Sequence, residues 1–401
     1  MQMTSFTLSG PISTDATVVS IRCTVDATKL PSFHIKGASL EPNQAKEIAV
    51  RVRSAMMSAN LAWPAGHVVI SLDAGGAKLQ SPPLDLPIAL AIAGVDVDGL
   101  LVAGELGLDG SVRAVRGALA AAALAKSLGL RGVLIAASNA REVTEALGPD
   151  LAVYAISHLV EVDSVLAAPV ADLPKRAISP RAVIDFADVR GQSEALAAVE
   201  QSAQTHAGLL LSGPPGAGKT MIARRIPSVL PRMRRDEQLA VTRIYSAIGL
   251  ADGLVAERPF RAPHHTISAA ALAGGGTSRR PGEVHLASHG VLFLDEVQEF
   301  SRGAIETLAQ ALREMPAASR PLVVASANPC PCGWRGATTR ACTCTEETVT
   351  RYTARVTWAA SKLGLTINAS VEALALSDLR AVAGESSRLM AARIAATVGA
   401  Q

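Results

Sequence analysis

Several stretches of the chain switch abruptly between apolar and polar character, and they outline its elements. Val18 to Val25 and Val68 to Leu72 are β-branched runs of strand character. Between them, Ala45 to Ala59 repeats apolar residues at helical spacing and turns Lys46, Glu47, Arg51 and Arg53 to the other face. Leu84 to Val95 is apolar nearly throughout and predicts a buried helix. The alanine-rich stretch from Val112 to Leu128 predicts another, stopped at Gly129, and Gly132 to Ala136 a further strand. Farther on, Ser193 to Gln204 reads as a surface helix with Ser193 as a candidate N-cap. Leu209 to Leu211, Val291 to Leu294 and Pro321 to Ala327 are short, fully apolar runs, the signature of strands covered on both faces.

Composition narrows the picture. The 401 residues suffice for two or three domains, and 49% of them are apolar. Only 3% are aromatic, so aliphatic side chains and alanine must fill the cores. A net charge of +3 does not by itself point to nucleic acid. Met1 to Gly10 is polar and carries no leader pattern, and the longest uncharged apolar run, Leu86 to Val95, falls short of the ~18 residues a membrane helix needs. Of the five cysteines, Cys23 stands alone and four cluster late, which is not a disulfide framework, so a cytoplasmic protein without a membrane segment is expected. Ala171 to Pro180 is a polar, proline-containing stretch. The expected division is an α/β domain over 1–170, a linker over 171–185, a second α/β domain over 186–358 and a closing segment over 359–401.

The most informative break follows Leu211. Gly213, Pro214, Pro215, Gly216, Ala217, Gly218, Lys219 and Thr220 satisfy G-x-x-x-x-G-K-[ST] between a strand and a helical pattern over Met221 to Ile226. Glycines there let successive N–H groups surround a phosphate at the positive end of the next helix. Lys219 is expected on the β- and γ-phosphates of ATP, and the Thr220 hydroxyl on Mg²⁺. The apolar strand ending at Leu294 runs into Asp295 and Glu296, the Walker B pattern. Asp295 is expected to share the Mg²⁺, and Glu296 to polarise the attacking water.

Three further groups stand outside these motifs. Cys330-x-Cys332 and Cys342-x-Cys344 offer four thiolates from two short turns, a set that suits tetrahedral Zn²⁺; free or transiently oxidised thiols are the other reading, since C-x-C is tighter than the usual C-x₂-C. His264 and His265 are adjacent, so on a strand or turn they are expected to face opposite ways and not to share a metal. The glycines 274–276 and Arg279-Arg280 suit a basic loop able to touch phosphates, or simply a solvated one.

The N-terminal pieces LPSFHIKG (30–37), RVRSAMMSANLAWP (51–64), DLPIALAI (85–92) and GELGLDGSVRAVRGAL (104–119) resemble the Lon-protease-like domain of magnesium-chelatase-like proteins, a ribosomal-protein fold. Asp85 stands where that resemblance places the Lon serine, and Leu119 near its lysine, so a non-proteolytic domain is implied. Asp188-Val189-Arg190-Gly191-Gln192 resembles the D-x-x-G-Q box of AAA+ ATPases. The segment RPFRAPHHT (258–266), then GGG, then PGEVHLASHGVLFLDE (281–296) closely resembles the YifB/ComM family of magnesium-chelatase-like AAA+ ATPases, and the likeness spans residues 5 to about 355.

That resemblance implies a Lon-like domain followed by a three-layer P-loop AAA+ domain, an ATP hydrolase, a homo-hexamer, and action on branched or single-stranded DNA in recombination of incoming DNA. It gives Asn328 the sensor 1 role beside the γ-phosphate; as a residue, Asn328 before Pro329 also suits a simple turn. The chain departs from the pattern at Met315 to Arg320, where a charged hairpin is usual, and at Val356 to Ala359, where G-P-L-L-D-R is usual. After the tail from Gly384 no helical lid is expected. Arg351 and Arg355 are then the candidates for an arginine finger. The rival readings are a nucleotide-gated assembly module of chelatase type, or a copy that binds ATP without productive turnover.

Overall fold

A computed structural model of the chain describes residues 1–37, 42–77, 79, 83–170, 184–275, 279–337, 340–374 and 384–398. Residues 171–183 of the linker expected over 171–185, and 276–278 of the glycine–arginine loop, lie outside them. By internal contacts the chain divides into two compact units, Met1–Arg176 with Leu239–Val255, and Ala177–Gln238 with Ala256–Gln401.

The described strands of the first unit are β1 (Gln2–Ser9), β2 (Asp15–Asp26), β3 (Ser32–Gly37), β4 (His67–Asp73), β5 (Leu100–Ala103), β6 (Glu105–Leu106), β7 (Val112–Arg113), β8 (Gly132–Ala136) and β9 (Ala152–Ile156). β6 and β7 pair with each other, and the other seven form one sheet in the order β3-β4-β2-β1-β5-β8-β9. β1 pairs antiparallel with β2 and parallel with β5, which puts a fairly polar stretch in mid-sheet. Side chains alternate between two cores. Leu100, Val102, Leu134 and Ala136 join helices α1 (Pro42–Ser58) and α2 (Asp85–Ala93). Leu101, Ala103, Val133 and Ile135 join α3 (Ala118–Ser127) and α4 (Ala137–Leu147).

The helix expected from Val112 starts only at Ala118. Val112–Arg113 pairs with Glu105–Leu106 instead, Asn139 holds both the N–H and the C=O of Val115, and Gly117 enters the helix at φ 77°. Leu239–Val255, which lies inside the span expected for the second domain, packs with this first unit. There Ser246 accepts from the backbone N–H groups of Gly117 (2.8 Å, through its C=O) and Leu119 (3.2 Å, through its hydroxyl).

The second unit is built on a parallel sheet in the order β11-β12-β13-β10-β14. Its strands are β10 (Gly208–Ser212), β11 (Phe260–Arg261), β12 (Val291–Leu294), β13 (Leu322–Ala327) and β14 (Leu365–Ser370). Helices cover both faces, which is why β10, β12 and β13 read as largely unbroken apolar runs. Leu209, Leu211, Val291, Phe293, Leu322 and Val324 face α6 (Ser193–Thr205), α7 (Lys219–Arg225) and a closing helix, Ser387–Val398. Leu210, Leu292, Leu294, Val323 and Ala325 face α11 (Arg302–Glu314) and α12 (Glu346–Leu363). Ser193 is the first helical residue of α6 rather than its cap; Gln192 holds the cap position, and its side chain bonds the Glu372 backbone instead of capping the helix. The stretch where a hairpin is usual holds one tight turn, Ala317–Ser319. Among the described residues no helix is long and apolar enough to cross a membrane.

Candidate functional site

The site lies at the C-terminal edge of the second sheet, where open parallel sheets present ligands to loops. β10 ends at Ser212, beside Ala327 of β13 and Ser370 of β14. Gly213 follows where no side chain fits, because a Cβ there would lie 2.1 Å from the Val371 carbonyl oxygen. Gly216 and Gly218 take φ of 78° and 101°, which reverses the chain onto the first turn of α7. Those values strain any residue with a Cβ. Pro214, Pro215 and Ala217 complete the loop between them.

Lys219 opens α7 and is largely buried. Its ammonium donates to the carbonyl oxygens of Gly213 (2.6 Å) and Pro214 (3.0 Å) and to Asn328 Oδ1 (3.0 Å). Burial lowers its pKa, against the pull of Asp295 and Glu296. The neighbouring Thr220 donates its hydroxyl to Asp295 Oδ2 at 2.9 Å.

β12 and β13 run in register with Leu294 beside Ala325, so Asp295, just past β12, meets Ser326 of β13. Ser326 is fully buried between them. Its hydroxyl donates to Asp295 Oδ1 and accepts from the Glu296 N–H at 2.9 Å. Glu296 itself sits at φ 54°, a conformation a glutamate avoids unless its surroundings impose it. Asn328 Nδ2 lies 3.4 Å from Glu296 Oε1, and the Asn328 N–H donates to the Tyr352 hydroxyl at 3.2 Å. Burial raises the pKa of that phenol and keeps it neutral. Lys219, Thr220, Asp295, Glu296 and Asn328 therefore share one constellation.

Ser326 and Tyr352 were not singled out in the sequence. The one visible signal was a serine inside an otherwise apolar strand. Arg351 and Arg355 flank Tyr352 on α12. Arg351 is exposed and pairs with Glu347 one turn away, and Arg355 donates to the Phe300 carbonyl at 3.2 Å. His264 and His265 do not face opposite ways: a turn brings their rings together, tilted by 33° with centroids 4.1 Å apart, and His264 Nδ1 meets Thr266 Oγ1 at 2.9 Å.

The loop after Asn328 carries a second cluster. Cys330 Sγ lies 3.4 Å from Cys332 Sγ and 3.6 Å from Cys342 Sγ, and Cys332 and Cys342 are 3.6 Å apart. The Cys332 N–H donates to Cys344 Sγ at 3.4 Å, and all four sulfurs fall within 4.8 Å of one another without a disulfide. N–H groups of Thr343 and Trp334 hold the Cys332 thiol down to about 5. Cys344 accepts an N–H bond as well, yet desolvation and the other thiols push it up to about 12.

Both units resemble known proteins. The family described as magnesium chelatase, subunit ChlI, matches residues 185–373, and a second, subunit ChlI of Mg-chelatase, matches residues 21–139. The fold is thus a magnesium-chelatase-like α/β fold. An uncharacterized protein of Mycobacterium tuberculosis is 36% identical over 363 residues, 84% of this chain and 71% of its own. YifB of Escherichia coli is 33% identical over 396 residues, 91% and 76%. The competence protein ComM of Haemophilus influenzae is 36% identical over 299 residues, 70% and 58%. The chain belongs to the YifB/ComM family.

Proposed function

We propose that the second unit is an AAA+ P-loop ATPase that binds ATP with Mg²⁺ and hydrolyses it. The observation that carries this reading is the convergence of the glycine loop, Lys219, Thr220, Asp295, Glu296 and Asn328 at one sheet edge. The Lys219 ammonium rests on two loop carbonyls, positions from which a phosphate oxygen competes for it. Thr220 and Asp295 form a hard oxygen pair that fits Mg²⁺ and would hold it. The metal's contribution when bound is to neutralise charge on the phosphates. Glu296 is the general base toward water, and Asn328, with a donor on Glu296 and an acceptor on Lys219, orients that water between them.

The strand order, with the glycine loop on β10 flanked by β13 and β14, supports the AAA+ assignment. So does the match over residues 185–373. In the first unit we read a Lon-like domain without proteolytic chemistry. Asp85 is locked by Arg51 (Nε–Oδ2 2.8 Å) and the Leu106 N–H, and Leu119 is buried apolar. For the cysteine cluster we read a structural Zn²⁺ site. Zn–S bonds of about 2.3 Å place tetrahedral sulfurs about 3.8 Å apart, close to the spacings observed, and four thiolates leave no position open for catalysis.

DNA is the substrate assigned to the motor, with the protein working as a homo-hexamer in the cytoplasm. Two things support that step: the competence designation of the Haemophilus relative, and the exposed Arg279 and Arg280. ATP turnover measured with and without forked or single-stranded DNA tests it. Stimulation by DNA, and filter retention that weakens as salt rises, are expected. Turnover indifferent to DNA, together with no retention at low salt, removes the DNA assignment and leaves the ATPase.

A further inference from the structure

We infer that the four-cysteine cluster is the brace that positions the nucleotide site, so that metal occupancy at Cys330, Cys332, Cys342 and Cys344 sets how well Asn328, Glu296 and the phosphate loop act together. The inference rests on the Zn²⁺ and ATPase readings above. Three observations tie the cluster to the site. Cys330 is buried two residues past Asn328, at the exit of β13, and its carbonyl accepts from the Gly333 N–H at 2.9 Å. Gly333 sits at φ 82°, and a Cβ there would come within 2.6 Å of the Pro215 side chain, so the turn of the cluster lies directly on the phosphate loop. At its other end, Cys344 precedes Thr345, whose hydroxyl caps α12 by accepting from the Thr348 N–H.

α12 carries Tyr352, which receives the Asn328 N–H. The loop from Cys330 to Cys344 therefore begins at one residue of the site and ends at the helix that holds the same residue from the other side. Unclamped, the four thiol groups, within 4.8 Å of one another, are joined only by weak hydrogen bonds to sulfur and by no covalent or metal bond. Clamped by one cation, they fix the β13 exit, the Pro215 contact and the start of α12 relative to one another. Partners one shell removed from a reacting centre change activity about 10- to 100-fold when lost. Asn328 is the catalytic residue in this arrangement, and the cysteines are positioning residues.

The test uses the full chain purified under reducing conditions, with its zinc content measured. It is then stripped with a chelator and a reversible thiol reagent, reduced again, and reloaded with Zn²⁺ or Co²⁺. One Zn²⁺ per chain, and the visible absorption of tetrahedral thiolate Co²⁺, are expected. Stripping should lower kcat by at least about tenfold with nucleotide affinity changed less, and reloading should restore it. Cys344→His, which keeps a zinc ligand, should retain metal and most of the turnover, whereas Cys344→Ser should lose both. Amide hydrogen exchange over 213–220 and 326–330 should quicken in the stripped protein, a readout that does not need catalysis. Absence of bound metal under every loading condition overturns the zinc reading. Metal that binds yet leaves kcat and the exchange of both segments unchanged on removal overturns the brace. A metal-loaded protein without turnover whose exchange still responds to metal contradicts the ATPase reading and keeps the brace.

Discussion

Ser326→Ala removes a single oxygen from a position with no exposed surface. That oxygen donates to Asp295 Oδ1 and accepts from the Glu296 N–H. A hydrogen bond to a carboxylate contributes about 1.5–3 kcal/mol, and a buried N–H left without an acceptor costs about 1–3 kcal/mol. The two losses share one atom and are not additive, so a total of about 2–4 kcal/mol is expected. Part of it appears in the fold, as a fall of a few degrees in the melting temperature of the second unit. The larger part appears in catalysis, because Glu296 is held at φ 54° by this contact. Freed, the backbone relaxes toward negative φ, and the carboxylate moves away from Asn328. A loss of about 2–3 kcal/mol of transition-state stabilisation is about a 30- to 150-fold drop in kcat. Lys219 and the glycine loop are untouched, so nucleotide affinity measured by calorimetry should stay within about threefold. A kcat within threefold of the parent, or a loss seen wholly in affinity, refutes the assignment of Ser326 as the clamp on Glu296.

Other expectations concern the first unit and the loop glycine. Burial pushes the Glu142 carboxyl up to about 7 from its ordinary 4.5, against the pull of the Asn139 amide. The fold thus favours the neutral acid: its stabilisation is complete below pH 4.5, falls as pH rises, and is lost by about pH 7. Glu142→Gln should therefore raise the melting temperature at pH 8, by an amount equivalent to about 3 kcal/mol at most, and leave it unchanged at pH 4; equal shifts at both pH values contradict the titration. Arg51→Met strands the fully buried Asp85 carboxylate and should cost about 3–5 kcal/mol in urea unfolding, while adding Asp85→Leu should recover most of it; equal midpoints for the single and double variants sink the pairing argument. Gly213→Ala drives a methyl into the Val371 carbonyl and should abolish nucleotide binding while the first unit still melts at its usual temperature; retained affinity shows the loop has room.

Much of the second unit could be read before its coordinates, and the reason is physical. Strands buried on both faces must be apolar at every position, so LLL before Ser212 and VLFL before Asp295 announce themselves. The glycine loop carries its own geometry in its spacing. What escaped depends on non-local pairing. β1 is largely polar yet lies mid-sheet, because hydrogen bonds from β2 and β5 place it there. β14 alternates buried and exposed residues and finds its partner β10 more than 150 residues back. Ser326 acquires meaning only from the register that sets Leu294 beside Ala325. The cysteine spacing suggested a metal, but that a loop brings four sulfurs within 4.8 Å of one another is a property of its turns. Alanine content past Gly117 extends the helical pattern backward over Val112, which instead lies in a short hairpin.

The proposal that Lys219, Thr220, Asp295, Glu296 and Asn328 together grip and cleave a triphosphate is tested by Mg²⁺-dependent ATP binding and phosphate release by the parent chain, Lys219→Ala and Glu296→Gln in parallel. Binding and turnover are expected for the parent, neither for Lys219→Ala, and tight binding without turnover for Glu296→Gln. Equal turnover by all three proteins, or no heat when the parent is titrated with ATP and Mg²⁺, would contradict it.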